Sequence, residues 1–540
     1  QLSQTLRSIA PNRRGVLLAA AAVKLSTSST LRLSSNLPPL ASSLYPPISA
    51  DGRSLSRGPY SRIEPADLLV FADIIGQNHV ITDQFEVFAA NTDWPRDCRG
   101  QGGHVLRPGC AEEVSVILRH CQKRRIAVVP QGGNTGLAGG GVPVFDELVL
   151  SLSRMNRVLE IDAVAGTVVA EAGCVLADLD SHLSEHGLTV PLDLAAKGSC
   201  QIGGNLSTNA GGICVLRYGS LRGSVRGLEV ALANGELIDC GRVNEHESRL
   251  VQLMIGSEGT LGVLTKVTLA CPPRPANVRL VLIGCDSFQS VLHLFSAARS
   301  TLAETLSAFE IMDAATMSAV SDNLKLNCPL SGSSEFFALV ETASCNASGS
   351  NDAGKLDRFL ECLVSLNHES AGSIDAVISN DSRQFGVIWA LRERAFEALV
   401  ADCGPAGGYM QFDASVSDRL DMQRLVLATR AEFGQLDCVI RVAGFGHLGD
   451  GNLHLVVTAD PAGAAGCGLW PRVEAFVYGW LSRRRGSISA EHGLGWKRSA
   501  YLGHCKSPTA VSVMAGIKRL LDPQGILNPY KVLPPSALSY

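Results

Sequence analysis

Ile126-Ala127-Val128-Val129-Pro130-Gln131-Gly132-Gly133-Asn134-Thr135-Gly136, followed at once by Gly139-Gly140-Gly141, runs a short apolar segment straight into a glycine-rich loop. The apolar run reads as a buried strand. Glycines after a strand let backbone N–H groups close on a phosphate without Cβ interference, so the loop is a candidate pyrophosphate cradle. It matches neither the Gly-x-Gly-x-x-Gly dinucleotide fingerprint nor a P-loop ending in Lys-Ser/Thr, so NAD is not the first choice. A mobile glycine loop explains this stretch, taken alone, about as well. Just upstream, Glu112 to Lys123 predicts an amphipathic helix with Val114, Ile117, Leu118 and Cys121 on one face.

Two further clusters follow, Pro191 to Gly212 with Gly198, Gly203-Gly204-Asn205 and Asn209, and Ile255 to Gly262. Gly166 to Ala172 and Val263 to Leu269 read as strands, and Leu176 to His186 as a helix. Three such clusters so close together are hard to explain as linkers. They read as walls of one extended ligand site. Pro272-Pro273-Arg274-Pro275 marks a boundary. Beyond it strands at Val278 to Ile283 and Phe336 to Glu341 alternate with helices at Gln289 to Leu302, Lys355 to Leu366 and Trp389 to Ala401, an α+β pattern.

Near the end of that region lies Gly444-Phe-Gly-His447-Leu-Gly-Asp-Gly-Asn-Leu-His454-Leu455. In one unbroken strand His447 and His454 would point to opposite faces. The Asp450-Gly451 turn signal offers a hairpin instead, which brings both imidazoles toward one point. Two imidazoles and a carboxylate, here Glu491, suit a divalent transition metal such as zinc and leave positions open for a substrate oxygen. A glycine-rich turn with two surface histidines is the plainer reading of the spacing alone.

Composition narrows the field. The chain has 540 residues, net charge −4, 46% hydrophobic and 18% charged residues. That is a globular balance with room for two or three domains, and it argues against a nucleic-acid partner. Sixteen cysteines occur with no Cys-x-x-Cys pair, and they read as reduced core thiols. The first fifty residues carry Arg7, Arg13, Arg14, Lys24 and Arg32 and no acidic residue. This resembles a mitochondrial transit peptide, with a disordered low-complexity tail as the competing reading. The apolar run Val16 to Val23 is far short of the about 20 residues a membrane span needs.

Taken in order, the segments Pro130 to Pro143, Pro191 to Gly223, Ile255 to Gly262, Ser307 to Asp313, Trp389 to Arg394, Gly446 to Leu455, Ser489 to Gly495 and Ile526 to Lys531 resemble one family. It is the FAD-binding oxidoreductases of the vanillyl-alcohol oxidase or PCMH type, in the group acting on D-2-hydroxyglutarate. The resemblance implies an α+β architecture: a leader or disordered segment 1–60, a two-subdomain FAD-binding domain 61–275, a substrate or cap domain 276–490, and a C-terminal segment 491–540 returning to the flavin. It implies FAD contacts at Gly132, Gly133, Asn134, Thr135, Gly136, Pro191, Gly198, Gly203, Gly204, Asn205, Asn209, Gly262 and Asn528. Attachment is expected to be non-covalent, since no histidine or cysteine lies in the Gly132 to Gly141 loops. It further implies metal ligands at His447, His454 and Glu491, zinc or another divalent transition metal, a base at His492, and a carboxylate-binding arginine at Arg392. The implied reaction takes hydride from C2 of a D-2-hydroxy acid, nominally D-2-hydroxyglutarate, to flavin in the mitochondrial matrix. Electrons then leave to an electron-transfer flavoprotein, and a homodimer is left open.

The chain departs from the group's pattern in the substrate pocket. Phe396 stands where a threonine is expected, Gln411 for a lysine that meets a second carboxylate, and Val456 for an asparagine. A charge-assisted hydrogen bond is worth about 1.5 to 3 kcal/mol, so these changes lean toward a D-lactate-type or other shorter, more apolar acid. The segment between Leu237 and Leu253 also differs from relatives. A flavin-binding scaffold without turnover is the reading from another class.

Overall fold

The computed structural model describes residues 55–240, 248–346, 354–362, 375–404 and 408–538. The basic leader, residues 241–247 of the divergent segment, and the end of the helix expected at Lys355 to Leu366 lie outside them.

The decisive apolar run is a strand, Val128–Gln131, displaced two residues toward the glycines. It pairs in parallel with Leu148–Ser151, which pairs with Val105–Leu106, and Val80–Ile81 adds antiparallel at the far edge. The helix Ala111–Arg124 buries one face because Val114, Ile117, Leu118 and Cys121 recur at helical spacing, and all four are buried. Arg125 ends it in the left-handed conformation. A second, antiparallel sheet runs Val158–Asp162, Thr167–Glu171, Val263–Ala270, Val225–Ala231, Leu237–Asp239. One apolar core joins the two sheets, with Val128, Leu148, Val168, Leu228 and Val267 in it. The glycine clusters emerge from this shared core at strand and helix ends.

The second half builds a seven-stranded antiparallel sheet in the order Asp375–Ile378, Asn277–Cys285, Phe336–Ser344, Leu306–Asp313, Val439–His447, Asn452–Ala459, Tyr409–Ser415. Both faces are covered. Phe309, Phe412, Leu453 and Leu455 face the helices Phe288–Thr301, Leu420–Phe433 and Leu469–Arg483. Met312, Ala443, Phe445 and Val456 face Ala314–Leu324 and the arginine-bearing helices. Those helices correct one expectation: Trp389 to Ala401 is not continuous but splits into Ser382–Glu393 and Ala395–Ala401 at Arg394. Its periodicity hid the break because Trp389, Leu391, Ala395, Ala398 and Leu399 all enter the same core. Among the described residues, no helix is long and apolar enough to cross a membrane.

The C-terminal segment returns to the first sheet. Val128 N donates to Ile526 O and Asn528 N to Val128 O, both at 2.8 Å, so Leu527 lies beside the first strand of the decisive stretch. Lys518, 3% exposed, pins this return by donating to Thr260 O at 2.7 Å, Leu527 O at 2.8 Å and Asp522 Oδ2 at 2.5 Å. Replacing Lys518 with Met strands Asp522 as a buried carboxylate with no cation. The expected cost is about 3 to 5 kcal/mol, read as a lower midpoint of thermal or urea unfolding.

Candidate active site

His447 opposes Asn452 and Phe445 opposes His454 across the hairpin. Side chains alternate along each strand, so 443, 445 and 447 share a face with 452, 454 and 456. The loop Leu448-Gly449-Asp450-Gly451 closes the hairpin, with Gly451 at φ +77° where other residues are strained. Seven residues apart, the two histidines therefore meet. On the flanking strands Glu310 pairs with His447 and Asp413 with His454. Four adjacent strands thus present Glu310, His447, His454 and Asp413 in a row on one face.

Glu491 and His492 reach this row from a loop that Asp413 holds. Asp413 is fully buried, and its Oδ2 accepts from the N–H groups of Ala490 (2.9 Å), Glu491 (3.0 Å) and His492 (2.8 Å) and from Ser489 Oγ (3.1 Å). Burial would raise this carboxyl, but His492 and Arg498 beside it keep it below the usual range. Glu258, in the third glycine cluster, accepts from Leu494 N at 2.7 Å and Gly495 N at 2.8 Å, and so fastens the far side of the same loop. At Gly493, φ is +80° and a Cβ would sit 2.9 Å from the Glu258 carboxylate.

Glu491 Oε1 lies 3.4 Å from His447 Nε2 and 3.4 Å from His454 Nε2. Ligand atoms about 2.0 to 2.1 Å from a tetrahedral metal stand about 3.3 to 3.4 Å from one another. The two pairs that share Glu491 Oε1 therefore have the spacing of ligands to a divalent transition metal. His447 Nδ1 is tied to Glu310 Oε1 at 2.8 Å, which leaves Nε2 to face inward. A different foursome, Asp413, His454, Glu491 and His492, also has ligand atoms within 4.8 Å of one another. His447 is not one of those four, and Asp413 has one oxygen occupied by four donors while the other, Oδ1, has no hydrogen-bond partner. Burial alone would lower the His447 imidazole, but Glu310 and Glu491 outweigh it and raise it to about 10. Burial likewise opposes the charge on Glu491, yet His447 holds it well below the carboxylate range. His492, stacked on His454 at 5.1 Å with ring planes 3° apart, is pushed down by burial to about 4 and is neutral at physiological pH.

Arg392 comes from the last turn of its helix into the same face, 4.9 Å over the Phe445 ring. Its Nη2 lies 2.8 Å from Glu310 Oε2, yet at angles that make no hydrogen bond, so Nη2 and Nε remain unpartnered in a residue 7% exposed. A buried guanidinium with unused N–H groups is a binding site for a planar anion such as a carboxylate.

Beside this corner opens a cleft lined by Gly132, Gly133, Asn134, Thr135, Gly136, Gly203, Gly204, Asn205, Gly262 and His492. A Cβ at Gly136 or Gly204 would meet nothing within 4 Å, so bare backbone faces the open space. Asn205 Oδ1 and Gln201 Oε1 are buried there without partners. A ligand rich in phosphate oxygens and ring N–H groups fits this lining, and FAD is such a ligand. Pro191, Gly198 and Asn209 do not line the cleft. Asn209 instead ends the helix Ile202–Thr208 in the left-handed conformation. Asn528 stands behind the wall, donating to Gly140 O at 3.0 Å and Glu258 O at 2.7 Å.

Val456 pairs with Gln411 across adjacent strands. Phe396 and Gln411 line a neighbouring cavity with Tyr409, Trp496, Lys497 and Arg498. Val456 is fully buried against Ala443 and Phe445. Lys497 is engaged by Asp97 at 2.5 Å and Leu137 O at 2.7 Å. Arg394 pairs with Glu397, and Arg424 with Asp418 and Asp421. Sequence reasoning missed Glu310, Asp413 and Glu258 as site residues. The signal for the first two was a carboxylate between apolar neighbours inside a strand, Phe309-Glu310-Ile311 and Phe412-Asp413-Ala414.

Two family models match the chain, the FAD binding domain over residues 103–241 and the C-terminal domain of FAD linked oxidases over residues 274–532. The mitochondrial D-2-hydroxyglutarate dehydrogenase of Rattus norvegicus is 47% identical over 89% of this chain and 88% of its own length. A Schizosaccharomyces pombe protein bearing, provisionally, the name of a mitochondrial D-lactate dehydrogenase is 40% identical over 89% and 92%. The solved 4-ethylphenol oxidase from Gulosibacter chungangensis superposes with a TM-score of 0.67 at 18% identity, covering 88% of this chain and 98% of that one, and so shares the fold.

Asp413→Ala is expected to free the 490–492 backbone. Amide hydrogen exchange at Ala490, Glu491 and His492 should accelerate at least about tenfold, because each lost charge-assisted bond exceeds 1.4 kcal/mol.

Proposed function

We propose, on the premise that this chain belongs to the FAD-linked oxidase family and to its branch of mitochondrial D-2-hydroxyglutarate dehydrogenases, that it oxidises a D-2-hydroxy acid, nominally D-2-hydroxyglutarate, to the 2-oxo acid. Family membership makes the chain an FAD-dependent oxidoreductase. The observation that carries the substrate class is Arg392, buried with unpartnered N–H groups on the face that also holds His447, His454, Glu491 and His492.

Arg392 takes the C1 carboxylate through its fork, which fixes C2 at the mouth of the glycine-lined cleft. His492 Nε2 accepts the C2 hydroxyl proton, as a neutral imidazole within the same corner. Asp413 holds His492 by its backbone N–H, so the base is positioned without sharing its own ring proton. Glu310 fixes His447 through Nδ1 and keeps Nε2 turned toward Glu491. His447, His454 and Glu491 would hold a divalent metal, and the glycine loops non-covalent FAD. When bound, the metal supplies positive charge that acidifies the hydroxyl, and FAD supplies the hydride acceptor. The basic leader and the relatives' names support placement in the mitochondrial matrix, with an electron-transfer flavoprotein as acceptor. A scaffold without turnover is disfavoured, since Arg392, ion-paired to Glu310, still has Nη2 and Nε without a hydrogen bond on the face that holds the histidines.

A second reading rests on the neighbouring cavity. Phe396 and Gln411 share its wall with Lys497 and Arg498, but Lys497 is engaged by Asp97 and the Leu137 carbonyl and Arg498 donates to Gly493 O, so the far end of the substrate meets cations already committed to other partners. That favours a D-lactate-type or other more apolar acid.

Four measurements test these points. Anaerobic mixing with D-2-hydroxy acids should bleach the yellow protein, and a colourless purified chain would overturn the reading. His492→Ala should slow flavin reduction about 10²- to 10⁴-fold while leaving the flavin bound, and near-normal reduction would remove His492 as the base. The ratio of kcat/KM for D-2-hydroxyglutarate over D-lactate chooses between the two acids. Zinc titration of the full chain tests the metal. His447→Asn should weaken binding at least about tenfold, whereas His492→Gln should retain it. Because His447 is protonated below about 10, zinc must displace that proton, so affinity rises with pH, by up to about tenfold per unit between pH 6 and 9.

A further inference from the structure

The described cysteines are all free, and seven are buried, as core thiols should be. One pair departs from that pattern. The Sγ atoms of Cys438 and Cys467 lie 3.5 Å apart at the surface, Cys467 exposed and Cys438 half-buried. Their backbones are held in place. Cys438 immediately precedes the strand Val439–His447, and its carbonyl accepts from Asp460 N at 2.8 Å. Asp460 caps the helix Pro461–Gly466 through Gly463 N, and Cys467 is the residue that ends this helix. The helix lies flat on Cys438 because residue 463 is glycine, where a Cβ would come within 2.7 Å of the Cys438 Cβ. The two sulfurs thus need to close only about 1.5 Å to reach the bonding distance of about 2.05 Å. The exposed Cys345 offers a contrast, since the neighbour recorded for its sulfur is the Pro273 carbonyl.

We propose that Cys438 and Cys467 are a modification site, closing reversibly to an intramolecular disulfide by exchange with a small-molecule disulfide of the oxidised-glutathione class. The exposed Cys467 thiolate attacks one sulfur of the small disulfide, whose S–S bond breaks. The first small thiolate leaves and takes up the proton that Cys467 gave up. The Cys438 thiolate then attacks the Cys467 sulfur, and the second small thiolate departs with the Cys438 proton. Two protein thiols are oxidised and one small disulfide is reduced to two thiols. Burial, then Cys467 itself, pushes the Cys438 thiol up, which assigns the first attack to Cys467. The closed ring runs from 438 to 467 and encloses both strands of the hairpin that carries His447 and His454. It is independent of which acid the enzyme oxidises.

The test uses the full-length, flavin-loaded protein incubated with oxidised glutathione, alkylated with N-ethylmaleimide, and mapped by mass spectrometry without reduction. The expected product is a cross-linked peptide pair containing Cys438 and Cys467, about 2 Da lighter than the sum of the reduced peptides and released by dithiothreitol. The thermal midpoint should rise on oxidation of the unaltered protein and not of Cys467→Ser, which should give no cross-link. Recovery of both cysteines alkylated, or of each only as a separate glutathione adduct, would overturn the proposal.

Discussion

A carboxylate sealed inside a β-sheet has to find donors, and Asp413 finds them in the backbone of a segment nearly eighty residues further along the chain. Everything at the catalytic corner follows from that requirement. The seven-stranded sheet (the cap sheet) supplies His447 and His454, while Glu491 and His492 arrive on a loop with no regular structure of its own. Such a loop would sample many conformations if it were not tied. Asp413 ties it from the sheet side and Glu258 from the cofactor side. Two carboxylates, Asp413 fully buried and Glu258 half-buried, therefore do the work that a rigid element would otherwise do, and each is stabilised by the N–H groups it orders.

The two halves are specialised accordingly. The glycine loops contribute backbone and open space, and their chemistry is generic to any ligand with phosphate oxygens. The cap sheet contributes side chains whose spacing is set by strand register, so a shift of one residue on either hairpin strand would turn a histidine to the opposite face. Arg392 adds a third constraint, a cation kept in place by Glu310 and the Phe445 ring while two of its N–H groups stay unpartnered.

Much of this was legible from the residues. Glycine clusters after strands, the His447 to His454 spacing around Asp450-Gly451, and the amphipathic helix at 111–124 are local patterns, and local physics realises them. The break at Arg394 was not legible, because both helical pieces bury their apolar side in one core. Nor were the roles of Glu310 and Asp413, since they depend on which strands lie side by side, and a sheet's order is a long-range property. Pro191, Gly198 and Asn209 carried the expected residue types in the expected cluster but stand away from the cleft lining. Residue type within a loop does not say which way that loop turns.

The return of the chain's end to its first sheet has a consequence in time. Asn528 reaches Gly140 across 388 residues, and at about 5 to 20 residues per second a ribosome needs roughly 20 to 80 s to make the intervening chain. For that interval the strand at Val128 has an open edge and the Gly140 carbonyl has no Asn528 to hold it. The cofactor cleft is thus among the last parts of the molecule to be completed, although its walls are among the first to be synthesised. The groups that brace the cleft wall from behind are therefore supplied only when synthesis has nearly reached the C-terminal segment.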